Sequence, residues 1–289
     1  MANNIVLAKK YTTLLDEVYQ KEALTSILDS DSSLVREGAN ANEIVIPKML
    51  LDGLADYDRG GGGYVRGSAS LTWETVKFNY ERGRQFAVDA MDNEETVQLA
   101  FGKLASTFER TKVIPELDAF RFASYCAKAG TRADEELSAA TIISQLRAAK
   151  VAMDDAEVPT EGRVLFLTST ADGLIEDLDT TKSKAILASY SHKIVVPESR
   201  FWSAIKMLDG KTSGEEKGGY VKADGAVGIN FIAIHPTAVL QYTKHAVTKI
   251  VPPELNNDAD EWLHNYRSYG LCDCYENKLK GIYVSVKTS

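Results

Sequence analysis

The stretch from Glu43 to Asp92 constrains this chain more than any other. Two strand-like apolar runs there flank a segment that cannot build a core. EIVIPKML reads as a strand, with Pro47 pointing to an edge or a bend because proline gives no N–H to a ladder. DGLADYDRGGGGYVRGSAS follows, polar and glycine-heavy. Alternation then resumes, with Leu71, Trp73 and Thr75 on one phase and Val76, Phe78 and Tyr80 on the other. A phase switch inside one strand predicts a bulge or a strong twist. RQFAVDAM alternates once more through Phe86, Val88 and Ala90. The prediction is a long antiparallel ribbon of about 10 residues per limb, reaching on the order of 30 Å at ~3.3 Å per residue. A two-stranded ribbon is marginal in water. Its stability must come from another surface, and a neighbouring subunit is one candidate.

The rest of the chain reads as a mixture of helices and strands. Tyr11, Leu14, Leu15, Val18 and Leu24 predict a helix from about Ala8 to Leu28, either an arm that docks elsewhere or an ordinary N-terminal helix. Asp92-Asn93-Glu94-Glu95 supplies a capped helix start. A long helix follows through Val97, Phe101, Leu104, Phe108, Leu117, Phe120 and Tyr125 to Gly130, kinked or restarted at Pro115. A second amphipathic helix runs from Thr141 to about Asp155 on Ile142, Leu146, Ala149 and Met153. RVLFLT is a buried-type strand, with a helical turn near Ala171–Leu178 after it. Thr180 to Gly225 is mixed, and GINFIAIH is a second buried strand. AVTKIV, a short helix around Asp258–His264, and the strands YGLCDCYE and KGIYVSV close the chain. This order predicts an α+β or α/β unit.

Composition excludes some functions. Of the charged side chains 41 are acidic and 33 basic, a formal net charge of -8. Tight sequence-independent DNA binding rests on phosphate contacts and calls for the opposite balance; a container for DNA does not. Three cysteines, Cys126, Cys272 and Cys274, make no disulfide framework and suit a reducing compartment. MANNIVLAKKYTT contains no secretory apolar core. The uncharged stretch Gly225–Thr243 is interrupted by Asn230, His235, Pro236 and Gln241, which argues against a membrane span.

Catalytic and metal motifs are incomplete. LDGKTSG resembles the second half of a phosphate-binding loop, but Ile205 stands where the first glycine should be. Gly60–Gly63 reads as a hairpin tip. Cys272 and Cys274 form a C-x-C with His264 upstream, but a structural zinc site needs a second pair. The simpler reading is two small core residues on one strand face. His192, His235, His245 and His264 are scattered, and the acidic runs Asp154-Asp155, Glu215-Glu216 and Asp258/Asp260/Glu261 lie at loops or helix ends. The chain is expected not to be an enzyme, and to need no cofactor or metal.

The ribbon also carries a family resemblance. Asp56-Tyr57-Asp58-Arg59, Gly63-Tyr64, Gly67, Trp73-Glu74-Thr75, Arg82-Gly83-Arg84 with Phe86, and Asp89-x-Met91-Asp92 before Glu94-Glu95-Thr96 resemble, in that order, the extended loop of tailed-bacteriophage major capsid proteins of the Hong Kong-97-type fold. VIPELDAFRFA is similar to the end of that family's spine helix, and KIVPPELNNDADEWLHNYRSYGLCDCYENKLKGIYV to its closing pattern. The resemblance is weakest between Thr180 and Gly225.

The resemblance implies an α+β capsid fold in four parts: an N-terminal arm (1–42), an extended β-hairpin loop (43–92), a peripheral domain with the spine helix (93–135 and 244–278), and an axial domain (136–243 and 279–289). It implies a structural subunit that self-assembles into hexamers and pentamers of an icosahedral head enclosing double-stranded DNA. The virion is then its location, after assembly in the bacterial cytoplasm. Expected partners are further copies of the chain, a portal protein, a decoration protein, and packaged DNA without specific binding, with no membrane. The arm begins almost at Met1, so a separate scaffolding protein is expected. Some relatives cross-link this loop through a lysine. Asp52 to Val76 contains none, which favours non-covalent locking, with Lys77 keeping the question open. Asp56, Tyr57, Asp58, Arg59, Tyr64, Arg66 and Trp73 are the expected inter-subunit contacts, with Asp58, Arg59 and Arg66 meeting charges on a neighbour. Two alternatives remain open at this point: an encapsulin-type nanocompartment shell, and a soluble α/β nucleotide-binding enzyme using LDGKT.

Overall fold

The structure is a computed structural model, which describes residues 23–30, 43–57, 59–60, 62–95, 103–178 and 180–288. The body is built on a five-stranded sheet of order β4-β12-β9-β5-β6. Its strands are β4 (Thr131–Asp134), β5 (Val164–Thr168), β6 (His192–Val196), β9 (Ile229–Ile234) and β12 (Ile282–Val286). β12 pairs parallel to β4 and β5 parallel to β6, while β9 runs antiparallel to both β12 and β5.

Alternation along these strands sorts side chains into two cores. Val164 and Phe166, Ile232 and Ile234, Ile282 and Val284 point to one face, where Phe122 and Tyr125 of helix α3 (Ile114–Ala127) cover them. Leu165, Leu167, Phe231, Ala233 and Tyr283 point to the other. Ile142, Leu146, Ala149 and Met153 of α4 (Ile142–Asp155) meet them there, with α5 (Ser169–Leu178) and α6 (Thr181–Leu187) alongside. The result is a helix–sheet–helix sandwich, and continuous burial explains why RVLFLT and GINFIAIH lack polar alternation.

A second, three-stranded sheet has the order β10-β11-β3, formed by β3 (Tyr80–Asp89), β10 (Val239–Val251) and β11 (Glu261–Cys274). The segment Asp258–His264, expected as a short helix, is not helical: Glu261–His264 open β11, and the only helical turn nearby is at Pro253–Leu255. Pairing with β3 on one side and β10 on the other overrides the helix-like local pattern. β3 belongs to this sheet and is not a limb of the ribbon.

The long helix is continuous over its described part. α2 (Leu104–Phe108) passes through a π turn at Glu109–Val113 into α3. Pro115 withholds an N–H from the ladder, and the wider turn takes up the mismatch without a break. Val97 and Phe101 lie outside the described residues. Upstream, α1 (Ala90–Glu95) starts three residues earlier than the Asp92 cap predicts. Asp89 Oδ1 accepts from the backbone N–H groups of Met91 (2.9 Å) and Asp92 (3.4 Å) and is the capping group. The N-terminal helix predicted for Ala8–Leu28 lies mostly outside the described residues, and its end is a 3-10 turn at Ser26–Leu28. Among the described residues no helix is long and apolar enough to cross a membrane.

Candidate functional site

The ribbon is formed by β1 (Glu43–Leu51) and β2 (Ala69–Lys77), antiparallel in unbroken register from Glu43↔Lys77 to Leu51↔Ala69. These two strands are a sheet of their own, so Pro47 sits where a missing N–H costs little. The phase switch read as a bulge is a change of sheet. β2 ends at Lys77, β3 begins at Tyr80, and Phe78-Asn79 makes the crossing. Asn79 secures it by side-chain mimicry of a ladder. Its Nδ2 donates to the Cys272 carbonyl at 2.8 Å, and its Oδ1 accepts from the Cys272 N–H at 3.0 Å.

Only the root of the ribbon is packed. The facing pair Ile44 and Val76 is buried against Leu240 and Leu271, with Ile46, Phe78, Tyr242 and Tyr275 around them. Phe78 stacks on Tyr269 at 4.7 Å. Lys48 Nζ reaches Glu276 at 2.5 Å, which raises the lysine pKa and lowers that of the carboxylate. Glu74, half-buried nearby, is shifted upward by burial first and by the Glu276 charge second.

From the Pro47–Trp73 pair outward the ribbon stands in the open. Met49, Leu50, Leu51, Leu54, Tyr57, Tyr64, Val65, Leu71 and Trp73 are all exposed, more than half of the exposed large hydrophobic residues in the described structure. Strands covered on one face should alternate; this one presents apolar side chains on both. Soluble monomers rarely leave such a surface contiguous.

At the tip, Asp52 ties the two limbs: its N–H donates to the Ser68 carbonyl at 3.1 Å, and its Oδ2 accepts from the Ser68 N–H at 2.6 Å. Tyr57 and Tyr64 meet edge-to-face at 4.8 Å. Asp56, Arg59 and Arg66 are exposed on the same tip, and Trp73 lies further down β2, 56% exposed and opposite Pro47. Asp58 falls outside the described residues. The structure therefore gathers six of the seven expected contact residues on one projecting element. Sequence reasoning passed over its aliphatic members, Met49, Leu50, Leu51, Leu54, Val65 and Leu71. The signal was the absence of polar alternation in KMLL.

The other candidate sites take ordinary structural roles. Asp209 to Thr212 forms an exposed turn between β7 (Ile205–Met207) and β8 (Tyr220–Lys222), a hairpin with no following helix. The Asp209 carboxylate itself accepts from the N–H groups of Lys211 (2.7 Å) and Thr212 (2.8 Å) and from the Thr212 hydroxyl (2.6 Å). These contacts, led by the hydroxyl, push its pKa down to about 2. A phosphate would find those donors taken and a carboxylate in its place. Cys272 and Cys274 lie with Cys126 in the core beside α3. Burial pushes the Cys272 thiol up to about 12 and Cys126 up to about 11, the behaviour of inert core thiols. Among the described residues no group of three or more His, Cys, Asp or Glu is placed to hold a metal.

No family model and no curated protein matches the sequence. Solved structures do match, over nearly the whole chain. A chain from Mycobacterium phage Che8 is similar with a TM-score of 0.67 at 15% identity, covering 99% of this chain and 98% of that one. A chain from the mature capsid of bacteriophage PhiM1 gives 0.69 at 12% identity, covering 98% and 93%. A chain from the capsid of the cyanophage P-SCSP1u gives 0.62 at 11% identity, covering 98% and 94%. Identity this low establishes the fold. The chain has the phage capsid fold, an α+β architecture consistent with the Hong Kong-97 type that the ribbon motifs implied.

Proposed function

We propose that this chain is the major capsid protein of a tailed bacteriophage, a structural and non-enzymatic subunit. Its copies assemble into hexamers and pentamers of an icosahedral head around double-stranded DNA. One observation carries the reading: a ribbon packed only at its root and apolar on both faces beyond it, on a chain that shares its fold end to end with capsid chains. Covering that surface needs another molecule, and a shell of identical copies supplies one at every position through repeated heterologous contacts.

In this reading the arm is 1–42, the extended loop 43–92, the peripheral domain 93–135 with 244–278, and the axial domain 136–243 with 279–289. The pairing of β3 with β11 joins the returning end of the loop to the peripheral sheet. Tyr57, Tyr64 and Trp73 are the apolar contacts on the neighbour, and Asp56, Asp58, Arg59 and Arg66 the charged ones. A separate scaffolding protein, a portal and a decoration protein complete the head, which is assembled in the bacterial cytoplasm and ends as part of the virion. The negative net charge fits a wall that holds DNA without gripping it.

Negative-stain electron microscopy of the purified chain, alone and co-expressed with its genomic neighbours, tests this. Closed shells or hexagonal tubes are expected. A uniform monomer under every condition contradicts the proposal, and a cargo enzyme inside the shells would redirect it to a nanocompartment.

A further inference from the structure

Residues Ala23–Ser30 make no sheet and belong to no long helix, yet they fill a groove in the body. The groove is walled by α3, the first residues of β10 and the turn at Glu198–Arg200. Asp118, on α3 and 1% exposed, accepts four hydrogen bonds there. They come from the N–H groups of Leu24 (3.1 Å) and Thr25 (3.2 Å), the Thr25 hydroxyl (2.7 Å) and Arg200 Nη1 (2.9 Å). The same hydroxyl accepts from Arg121 Nη1 at 3.0 Å, and Arg121 also pairs with Asp29 at 3.2 Å. From β10, the Gln241 amide donates to the Thr25 carbonyl at 2.9 Å and to Asp29, while Tyr125 donates to the amide oxygen. The Ser30 N–H closes the set on the Gln241 carbonyl at 3.0 Å. Leu28, 1% exposed, enters the core beside Phe122 and Tyr125.

We propose that this groove is a peptide-recognition site whose ligand is a short Thr-x-x-Leu-Asp segment, supplied here by Thr25, Leu28 and Asp29 of the same chain. The 3-10 turn at Ser26–Leu28 suits the task, because residues three apart eclipse in that geometry and present Thr25 and Leu28 together. Ser26 and Ile27 face solvent, so the site reads the backbone, the Thr25 and Ser30 hydroxyls, the Leu28 side chain with Leu24 beside it, and the Asp29 carboxylate. Asp118 and Arg121 are buried charges that the segment hydrogen-bonds, and an empty groove would take those partners from them.

The test keeps the full chain and places a protease site within residues 33–38. After complete cleavage, the N-terminal fragment should co-elute with the body in gel filtration at micromolar concentration. Thr25→Val, which removes the hydroxyl from both Asp118 and Arg121, should speed fragment release at least tenfold, whereas Ile27→Ala should leave it unchanged. Both substitutions lie on the ligand segment, and circular dichroism of the cut body checks that its fold is intact. Loss of the wild-type fragment on the first column, or equal release from the two variants, would overturn the proposal.

Discussion

Trp73 gives the sharpest separation between folding and assembly. It stands 56% exposed on β2, opposite Pro47, outside every buried cluster of the body. Trp73→Ala therefore removes only a cross-strand contact from the isolated subunit, worth less than about 1 kcal/mol. In an assembly the open part of the ring would be covered. A large aromatic buries ~150–250 Å², so the exposed fraction corresponds to roughly 85–140 Å². At ~25 cal/mol per Å² this is about 2–3.5 kcal/mol per contact, a weakening of roughly 30- to 400-fold. Sedimentation velocity over a concentration series reads the association, and thermal unfolding reads the subunit. The expected result is an unchanged melting temperature with assembly pushed to much higher concentration. A variant that assembles at the wild-type concentration would refute the assignment of this face to a neighbour.

Other perturbations probe the tip and the body. Arg59→Glu should leave the subunit folded and soluble but assembly-defective, and normal shells by electron microscopy would count against a charged contact at the tip. His264 is fully buried between Phe86 and Phe108 with neither ring nitrogen hydrogen-bonded, and burial lowers its pKa from the usual 6.5 against a smaller opposing effect of Glu109. The folded state thus favours the neutral ring, so stability is full above pH ~6.5 and falls as the pH drops below it. His264→Phe should flatten that decline in urea titrations at pH 7.5 and 5.5; an identical slope in both proteins would exclude His264 as its source. Arg200→Met takes the guanidinium at 2.9 Å from the buried Asp118 carboxylate, leaving it the Leu24 and Thr25 donors, and should cost about 3–5 kcal/mol by chemical denaturation. Gly130→Ala would drive a methyl into the Leu279 carbonyl and should cost about 1–3 kcal/mol in the same assay.

Much of the architecture was legible because burial leaves a period. Ile142, Leu146, Ala149 and Met153 mark one helix face, and each is fully or almost fully buried. Val164 to Thr168 reads as a strand covered on both sides, and it is. The ribbon was legible in part, because two strand-like runs flank a polar, glycine-heavy segment too poor in apolar residues to build a core, while the third run, RQFAVDAM, went to another sheet. What stayed hidden depends on distant partners. The crossing at Phe78-Asn79 looks like a continuing strand until Asn79 is seen bonding Cys272, 193 residues away. Asp258 to His264 has the acidic start of a helix, and only pairing with β3 and β10 makes its end a strand. The groove around Thr25 joins residues 93 to 216 positions apart, each unremarkable in its own neighbourhood.

Cryo-electron microscopy of the assembled protein would show where the ribbon goes. Closed particles are expected, in which β1 and β2 lie against an adjacent copy with Leu71 and Trp73 buried there. A ribbon left in solvent, or folded onto its own body in a fully assembled particle, would contradict that placement.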